Sequence, residues 1–267
     1  MERVKRLIVG NALSSDCFEG KVLDPVGAPP YPLRTVEVGG REVPAIPMVV
    51  EDCPEGAECL DLERLVVLKD GDEIEKACRS LRCQRPWPLR WLSFKRPKLV
   101  LKIKRKRRNP IINASIKKID FDENKVILRG GRTIEYEDLV WTAPYDYLRR
   151  LLGMEGPKAL EATVIIAKAK AEFDMAFHFG KANPALAIVN SKDLGLLWIL
   201  APGTHDSLST IKHLVRKGYI EGIESFVSHV VKYYALEEIE IKNVNFKLKG
   251  RTAEWKEMGL NEVISCA

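Results

Sequence analysis

The sequence predicts an α/β protein with two parts, a parallel sheet carrying a β-meander and an antiparallel sheet backed by helices. Three observations predict it. A compact apolar run, Val4 to Val9, stops at Gly10 and is followed after a short connection by a second strand, Lys21 to Asp24. The middle of the chain is a succession of short strands around Gly130-Gly131 that ends in the apolar strand Leu139 to Thr142. Beyond Pro157 the strands lengthen and helical periodicity appears between them.

Each element has a local reason. Only Asn11 to Gly20 separate the first two strands, whereas an ordinary βαβ crossover needs roughly ten to twelve residues or more, so at most a rudimentary helix fits there. Pro25 to Pro47 is rich in Pro and Gly, and Ala28-Pro29-Pro30-Tyr31-Pro32 must be extended loop. Arg64 to Leu68 is a strand. Asp72 caps a helix with Glu75 closing a capping box, and Ile74, Ala77, Cys78 and Leu81 form its apolar face. Leu99 to Ile103 and Ile111 to Ile119 are strand-like, while Val126-Ile127-Leu128 and Thr133-Ile134-Glu135-Tyr136 flank a Gly-Gly hairpin. Pro144 halts the next strand and opens a short helix with Leu148, Leu151 and Leu152 on one side, closed by Gly153.

Ala162 to Ala171, Met175 to Phe179, Ala185 to Asn190 and Leu194 to Leu200 read as an antiparallel sheet turning at Asn183-Pro184 and Asp193. A weak helix follows from Ser207 to Lys217. Ile223, Phe226, Val227, Val230, Val231 and Tyr234 recur at helical spacing and predict a second, stronger helix. Ile239 to Leu248 is a last strand leading into Gly250-Arg251.

With 267 residues, 46% of them apolar and 30% charged, the chain can bury a sizeable core as one large or two small domains. No apolar run reaches the roughly 18 residues of a membrane span, and the basic start leads straight into a strand instead of a signal peptide, so a cytoplasmic protein is expected. One Gln against 43 Lys+Arg and 37 Asp+Glu is the usage expected of a hyperthermophile, in which intracellular disulfides occur. Cys53 and Cys59, and Cys78 and Cys83, have spacings that match neither a zinc knuckle nor a ribbon. No metal is expected. Cys78 reads as a buried small hydrophobe, and a Cys53–Cys59 disulfide closing the Pro54-Glu55-Gly56 turn is the better special reading. The four histidines are scattered, with His229 read as structural.

Gly250-Arg251-Thr252-Ala253-Glu254-Trp255 followed by Glu262-Val263-Ile264, together with Ile134 to Pro144, resembles the flavin amine oxidase superfamily, particularly its UDP-galactopyranose mutase-like branch. The resemblance implies a Rossmann-like FAD-binding domain over residues 1–156 with helical and β insertions. It further implies an antiparallel-sheet and helix substrate domain over 157–249 and a return to the nucleotide domain over 250–267. It implies an FAD-dependent oxidoreductase or mutase of unspecified small-molecule substrate.

In that family Gly10, Asn11, Ala12 and Ser14 lie in the G-x-G-x-x-G turn, Asp24 is the acid that bonds a ribose hydroxyl, and Thr142 and Pro144 end a strand beside the flavin. Gly250 gives close approach to the pyrophosphate, Arg251 a fork of donors and Trp255 an aromatic wall. Ala12 and Ser15 stand where the second and third glycines belong, so FAD binding is expected to be weak or lost. A residual strand-turn, an ordinary Asp-Pro turn at Asp24 and a plain cap at Arg251 and Trp255 are the alternatives. No catalytic acid, base or nucleophile stands out.

Lys95 to Arg108 holds nine Lys or Arg in fourteen residues and no acid. Alternation puts Val100, Lys102, Lys104 and Lys106 on one face, which reads as a solvated edge strand guarded by lysine. With Trp87, Trp91 and Phe94 nearby, the alternative function is a non-catalytic binding protein using Lys102, Lys104, Lys106 and Arg108 on RNA, single-stranded nucleic acid or an acidic protein.

Overall fold

The structure, a computed structural model, describes residues 2–27, 33–71, 87–106, 109–155, 159–233, 246–254, 258 and 260–266. In chain order its strands are β1 (Glu2–Val9), β2 (Lys21–Leu23), β3 (Thr35–Val38), β4 (Arg41–Pro44), β5 (Met48–Val50), β6 (Ala57–Asp61), β7 (Leu65–Lys69), β8 (Lys98–Ile103), β9 (Ile111–Ile112), β10 (Ile116–Asp120), β11 (Lys125–Leu128) and β12 (Thr133–Trp141). They continue with β13 (Leu160–Lys170), β14 (Met175–His178), β15 (Ala187–Ser191), β16 (Leu196–Pro202), β17 (Glu221–Tyr233) and β18 (Lys247–Leu248). The chain divides into two units. One comprises Met1–Pro30, Lys104–Lys158 and Leu236–Ala267, the other Tyr31–Ile103 and Ala159–Ala235.

The first unit is built on a sheet of order β10-β11-β12-β1-β2-β9. β1 runs parallel to β12 from Glu2↔Ile134 to Val9↔Trp141 and parallel to β2 from Leu7↔Lys21 to Val9↔Leu23. Leu7, Ile8 and Val9 are buried, as a central parallel strand covered on both faces requires. The meander is antiparallel: β11 pairs β12 through Val126↔Ile134, with Gly131 at φ +79 in the connecting turn. β12 is one continuous strand where the sequence suggests two, and its second half also takes β18 through Val140↔Lys247. Ile111 to Ile119, expected as one strand, is split into β9 and β10, which serve opposite ends of the sheet. Pro144 precedes the helix Tyr145–Leu151, as expected, with Gly153 at φ +70 just beyond it.

The second unit carries a six-stranded sheet of order β17-β13-β16-β15-β14-β7, antiparallel except where β7 joins β14 in parallel. Residues 31–103, assigned from the sequence to insertions in the first domain, therefore cluster here. One face of the sheet packs Val164, Ile166, Phe177 and Trp198 against Val43 and Leu99 from the small sheets β3-β4 and β5-β8-β6 and against Trp91 from the 3-10 helix Trp87–Ser93. Trp198 Nε1 donates to Pro44 O at 2.8 Å, giving the buried indole its partner. The other face packs Ile165, Ile188 and Ile199 under the helix Ser207–Arg216 through Ile211 and Leu214. Asp206 caps that helix by accepting from Ser209 N.

Two expectations are corrected. The apolar stripe from Ile223 onward forms strand β17, not a helix: its ten-partner pairing with β13 outweighs helical spacing that arises because the strand is apolar on both faces. The basic run does not form a solvated edge strand either. β8 is the central strand of β5-β8-β6, and Leu99 and Val100, on opposite faces, are both buried. The Asp72-capped helix, Cys78 and Cys83, most of the expected strand Ile239 to Leu248, Arg108 and Trp255 lie outside the described residues. Among the described residues no helix is long and apolar enough to cross a membrane.

Candidate functional site

The carboxyl ends of β1, β2, β12 and β18 converge on one edge of the first unit's sheet. Gly10 has φ +103, and a Cβ there would lie 2.5 Å from Ala143 N, so only glycine lets the ends of β1 and β12 close on each other. Thr142 Oγ1 donates to Gly10 O at 2.7 Å and to Val9 O at 3.1 Å, while Ala143 N donates to Val9 O at 2.9 Å. After Pro144, Tyr145 N donates to Thr252 O at 2.8 Å and so joins the helix start to the Gly250–Glu254 turn. Gly10, Thr142, Pro144 and Gly250 thus belong to one constellation.

The turn after β1 is held from inside. Leu13–Cys17 is a single 3-10 helix, the rudimentary helix expected from the spacing. Asp24 Oδ2 accepts from Asn11 N at 3.0 Å, and its Oδ1 accepts from Val26 N and Gly27 N at 2.9 Å each, an Asx arrangement of the kind an Asp-Pro pair favours. Ser14 is buried and its Oγ donates to Lys249 O at 3.1 Å. Gly250, at φ +106, comes so close that a Cβ on it would sit 2.6 Å from Ser14 Oγ.

Arg105 fills the turn. Its Nε donates to Asp16 Oδ1 and Oδ2 at 2.9 and 3.1 Å, and Nη1 donates to Asn11 Oδ1 at 2.6 Å. Nη2 donates to Ser15 Oγ at 3.1 Å, to Ala12 O at 3.4 Å and to Asp16 Oδ1. The Asp16 and Arg105 side chains keep only 4% and 18% of their surface exposed, which makes this a buried, fork-bonded ion pair. Asn109 ties the same turn by donating from Nδ2 to Phe18 O at 2.8 Å. The sequence analysis missed Arg105 and Asp16. Within the basic run, Arg105 is set apart among the described residues by meeting an acid buried in this turn.

Cysteines fasten the turn's far end. Cys17, the last residue of the 3-10 helix, is disulfide-bonded to Cys266, 249 positions away and just past the helix Leu260–Ile264, with Cα atoms 5.0 Å apart. No spacing rule reaches across that distance. The Cys53–Cys59 disulfide in the second unit is the one expected from the sequence.

The other candidate residues have different settings. Arg251 is half-buried in the turn that follows β18. Lys98 and Lys102 pair with Asp61 and Glu58 across the β6–β8 ladder, so part of the basic run's charge is matched locally. Lys104 and Lys106 are exposed. Burial raises the Tyr147 phenol, and it pushes Tyr136 up to about 12 with the Asp120 carboxylate adding to the effect.

This arrangement, a parallel sheet with an antiparallel meander in one unit and a long antiparallel sheet in the other, is the fold of the FAD-dependent oxidoreductases and related mutases. The chain is similar to reduced UDP-galactopyranose mutase, at 10% identity and a TM-score of 0.67 over 99% of this chain and 92% of that one. It is similar to a redesigned putrescine oxidase, at 10% identity and a TM-score of 0.56 over 85% and 84% of the two chains. The PF1083 protein of Pyrococcus furiosus matches at 13% identity and a TM-score of 0.53 over 92% and 91%. At these identities the likeness is one of fold. No protein-family model matches the chain, and no curated protein matches it in sequence.

The residues present do not fit a dinucleotide in this arrangement. A pyrophosphate needs backbone donors at a helix N-terminus and a clear path at the second and third glycines. Here Asn11 N is bonded to Asp24, Gly250 N donates to Glu254 Oε1 at 2.8 Å, and Gly250 rests on Ser14. The turn aims oxygens inward at a guanidinium, the wrong polarity for an anion.

Proposed function

We propose that this protein keeps the fold of the FAD-dependent oxidoreductases with its dinucleotide turn filled by its own side chains, holds FAD weakly or not at all, and acts by binding rather than by flavin redox chemistry. The observation that carries this reading is the Arg105 guanidinium seated among Asn11, Ala12, Ser15 and Asp16. A phosphate entering the turn has to displace an ion pair that is itself fork-bonded and shielded from water, and it meets the Asp16 carboxylate once it has done so.

The test is the visible absorption of freshly purified full-length protein followed by FAD titration read by flavin fluorescence. The expected result is no flavin band on purification and weak, non-saturating uptake. Replacing Arg105 by Ala together with Asp16 by Asn should raise FAD uptake by emptying the turn. Protein isolated with stoichiometric flavin would reverse the conclusion. An FAD-dependent enzyme with Gly10, Thr142, Gly250, Arg251 and Trp255 against the cofactor would then be the reading.

A further inference from the structure

β17 is thirteen residues long and ends the order of the second unit's sheet; one edge pairs with β13 from Leu160↔Tyr233 to Lys170↔Glu221, and no described strand pairs with the other. A long open edge invites another strand, and proteins normally blunt such edges with proline, brevity or inward charges. The sequence Glu221 to Tyr233 has no proline, and its charges point outward. It is also apolar on both faces. Val227 and Val231 join the core on one face, while Phe226 and Val230 remain 38% and 42% exposed on the other. A strand that only had to cover a core would be polar on its outer face.

We infer that β17 pairs antiparallel with β17 of a second copy of this chain about a two-fold axis at Ser228, fusing two six-stranded sheets into one. The outer face reads Glu224, Phe226, Ser228, Val230, Lys232, and reversed it is its own complement. Glu224 of each copy then lies opposite Lys232 of the other, Phe226 opposite Val230, and Ser228 opposite itself. Directly opposed side chains in an antiparallel pair are close enough for each of these contacts, and the two-fold makes the charged and apolar pairs twice. Sliding the register by one pleat in one direction sets Glu224 against Val230 and Phe226 against Ser228; in the other it sets Phe226 against Lys232. Both lose the match. On the inner face the same register places Val227 opposite His229 and Ser225 opposite Val231, so the side that packs on the core stays continuous.

The test uses the full-length chain. Its mass by light scattering should be that of a dimer. Lys232→Glu or Glu224→Lys sets like charges opposite each other and should raise the dimer dissociation constant at least tenfold at low salt, while the Glu224→Lys/Lys232→Glu double variant should restore it. Ser228→Cys should cross-link quantitatively into a covalent dimer on mild oxidation, and Lys232→Cys, whose opposite is Glu224, should not; this readout does not depend on the charge variants folding well. A monomeric wild type whose Ser228→Cys variant does not cross-link overturns the inference. So does a dimer indifferent to all three charge variants, or an open-ended series of oligomers abolished by substitution in β7.

Discussion

Replacing Arg105 by alanine should be among the most damaging single changes in the first unit. It strands the Asp16 carboxylate, 96% covered, in a turn whose other groups are already bonded. Breaking a buried pair by removing one partner costs about 3–5 kcal/mol, because the remaining charge is neither paired nor hydrated. With a urea slope of about 3 kcal/mol/M, the unfolding midpoint should fall by about 1–1.7 M. Urea is preferable to guanidinium chloride here, since a free guanidinium ion is a copy of the missing group. Asp16→Ala should cost less than Arg105→Ala. The guanidinium it leaves behind is more exposed and retains Asn11 Oδ1, Ser15 Oγ and Ala12 O as acceptors. The double variant should recover part of the loss of Arg105→Ala, since the stranded carboxylate leaves with its partner. A midpoint for Arg105→Ala within about 0.3 M of wild type, or a double variant no more stable than Arg105→Ala, would refute the view that this pair organises the turn.

Gly250→Ala adds a Cβ 2.6 Å from Ser14 Oγ at a φ of +106, so about 2–4 kcal/mol should be lost in denaturant unfolding, with Ser14→Gly recovering only the steric share. His229 is held below its ordinary pKa by burial, opposed by a hydrogen bond to the Ala45 backbone, so the folded state resists protonating it. Its contribution to stability is complete above the unfolded pKa of about 6.5 and declines as the pH drops through that value toward the folded pKa; His229→Leu should flatten this acid-side slope in melts recorded from pH 8 to 5. Binding of single-stranded RNA should be weak and lost near physiological salt, since the net charge is only +6 and Lys102 is already paired with Glu58. Tight binding that survives such salt and collapses in a Lys102→Glu/Lys104→Glu/Lys106→Glu variant would identify the basic segment as the binding surface.

The first unit was largely legible because its signals are local. An apolar run stopped by Gly10, a Gly-Gly hairpin and Thr142 before a helix-opening proline each fix their own neighbourhood, and the parallel pairing of β1 with β12 follows from where those strands end. Ten intervening residues were also enough to forecast the dwarf helix at Leu13–Cys17. What stayed hidden depends on partners distant in sequence. Arg105 is set apart within its basic run by what it meets across 89 positions, and Cys17 by a partner 249 positions away. β17 was misread for a subtler reason: apolar side chains on both faces of a strand can fall at the spacing of a helix, and only the neighbouring β13 decides between them.

The Cys17–Cys266 bond also changes what kind of polymer this chain is. The oxidised chain is a ring of 249 bonds between α-carbons that carries the 16 residues before Cys17, β1 among them, outside it. A ring has far fewer unfolded arrangements; the chain-entropy estimate for closing so large a loop is about 5 kcal/mol. It also imposes an order on biosynthesis. β1 pairs with β2 as soon as both are made but waits for β12 on its other side, and the seam closes only after Cys266 has been added.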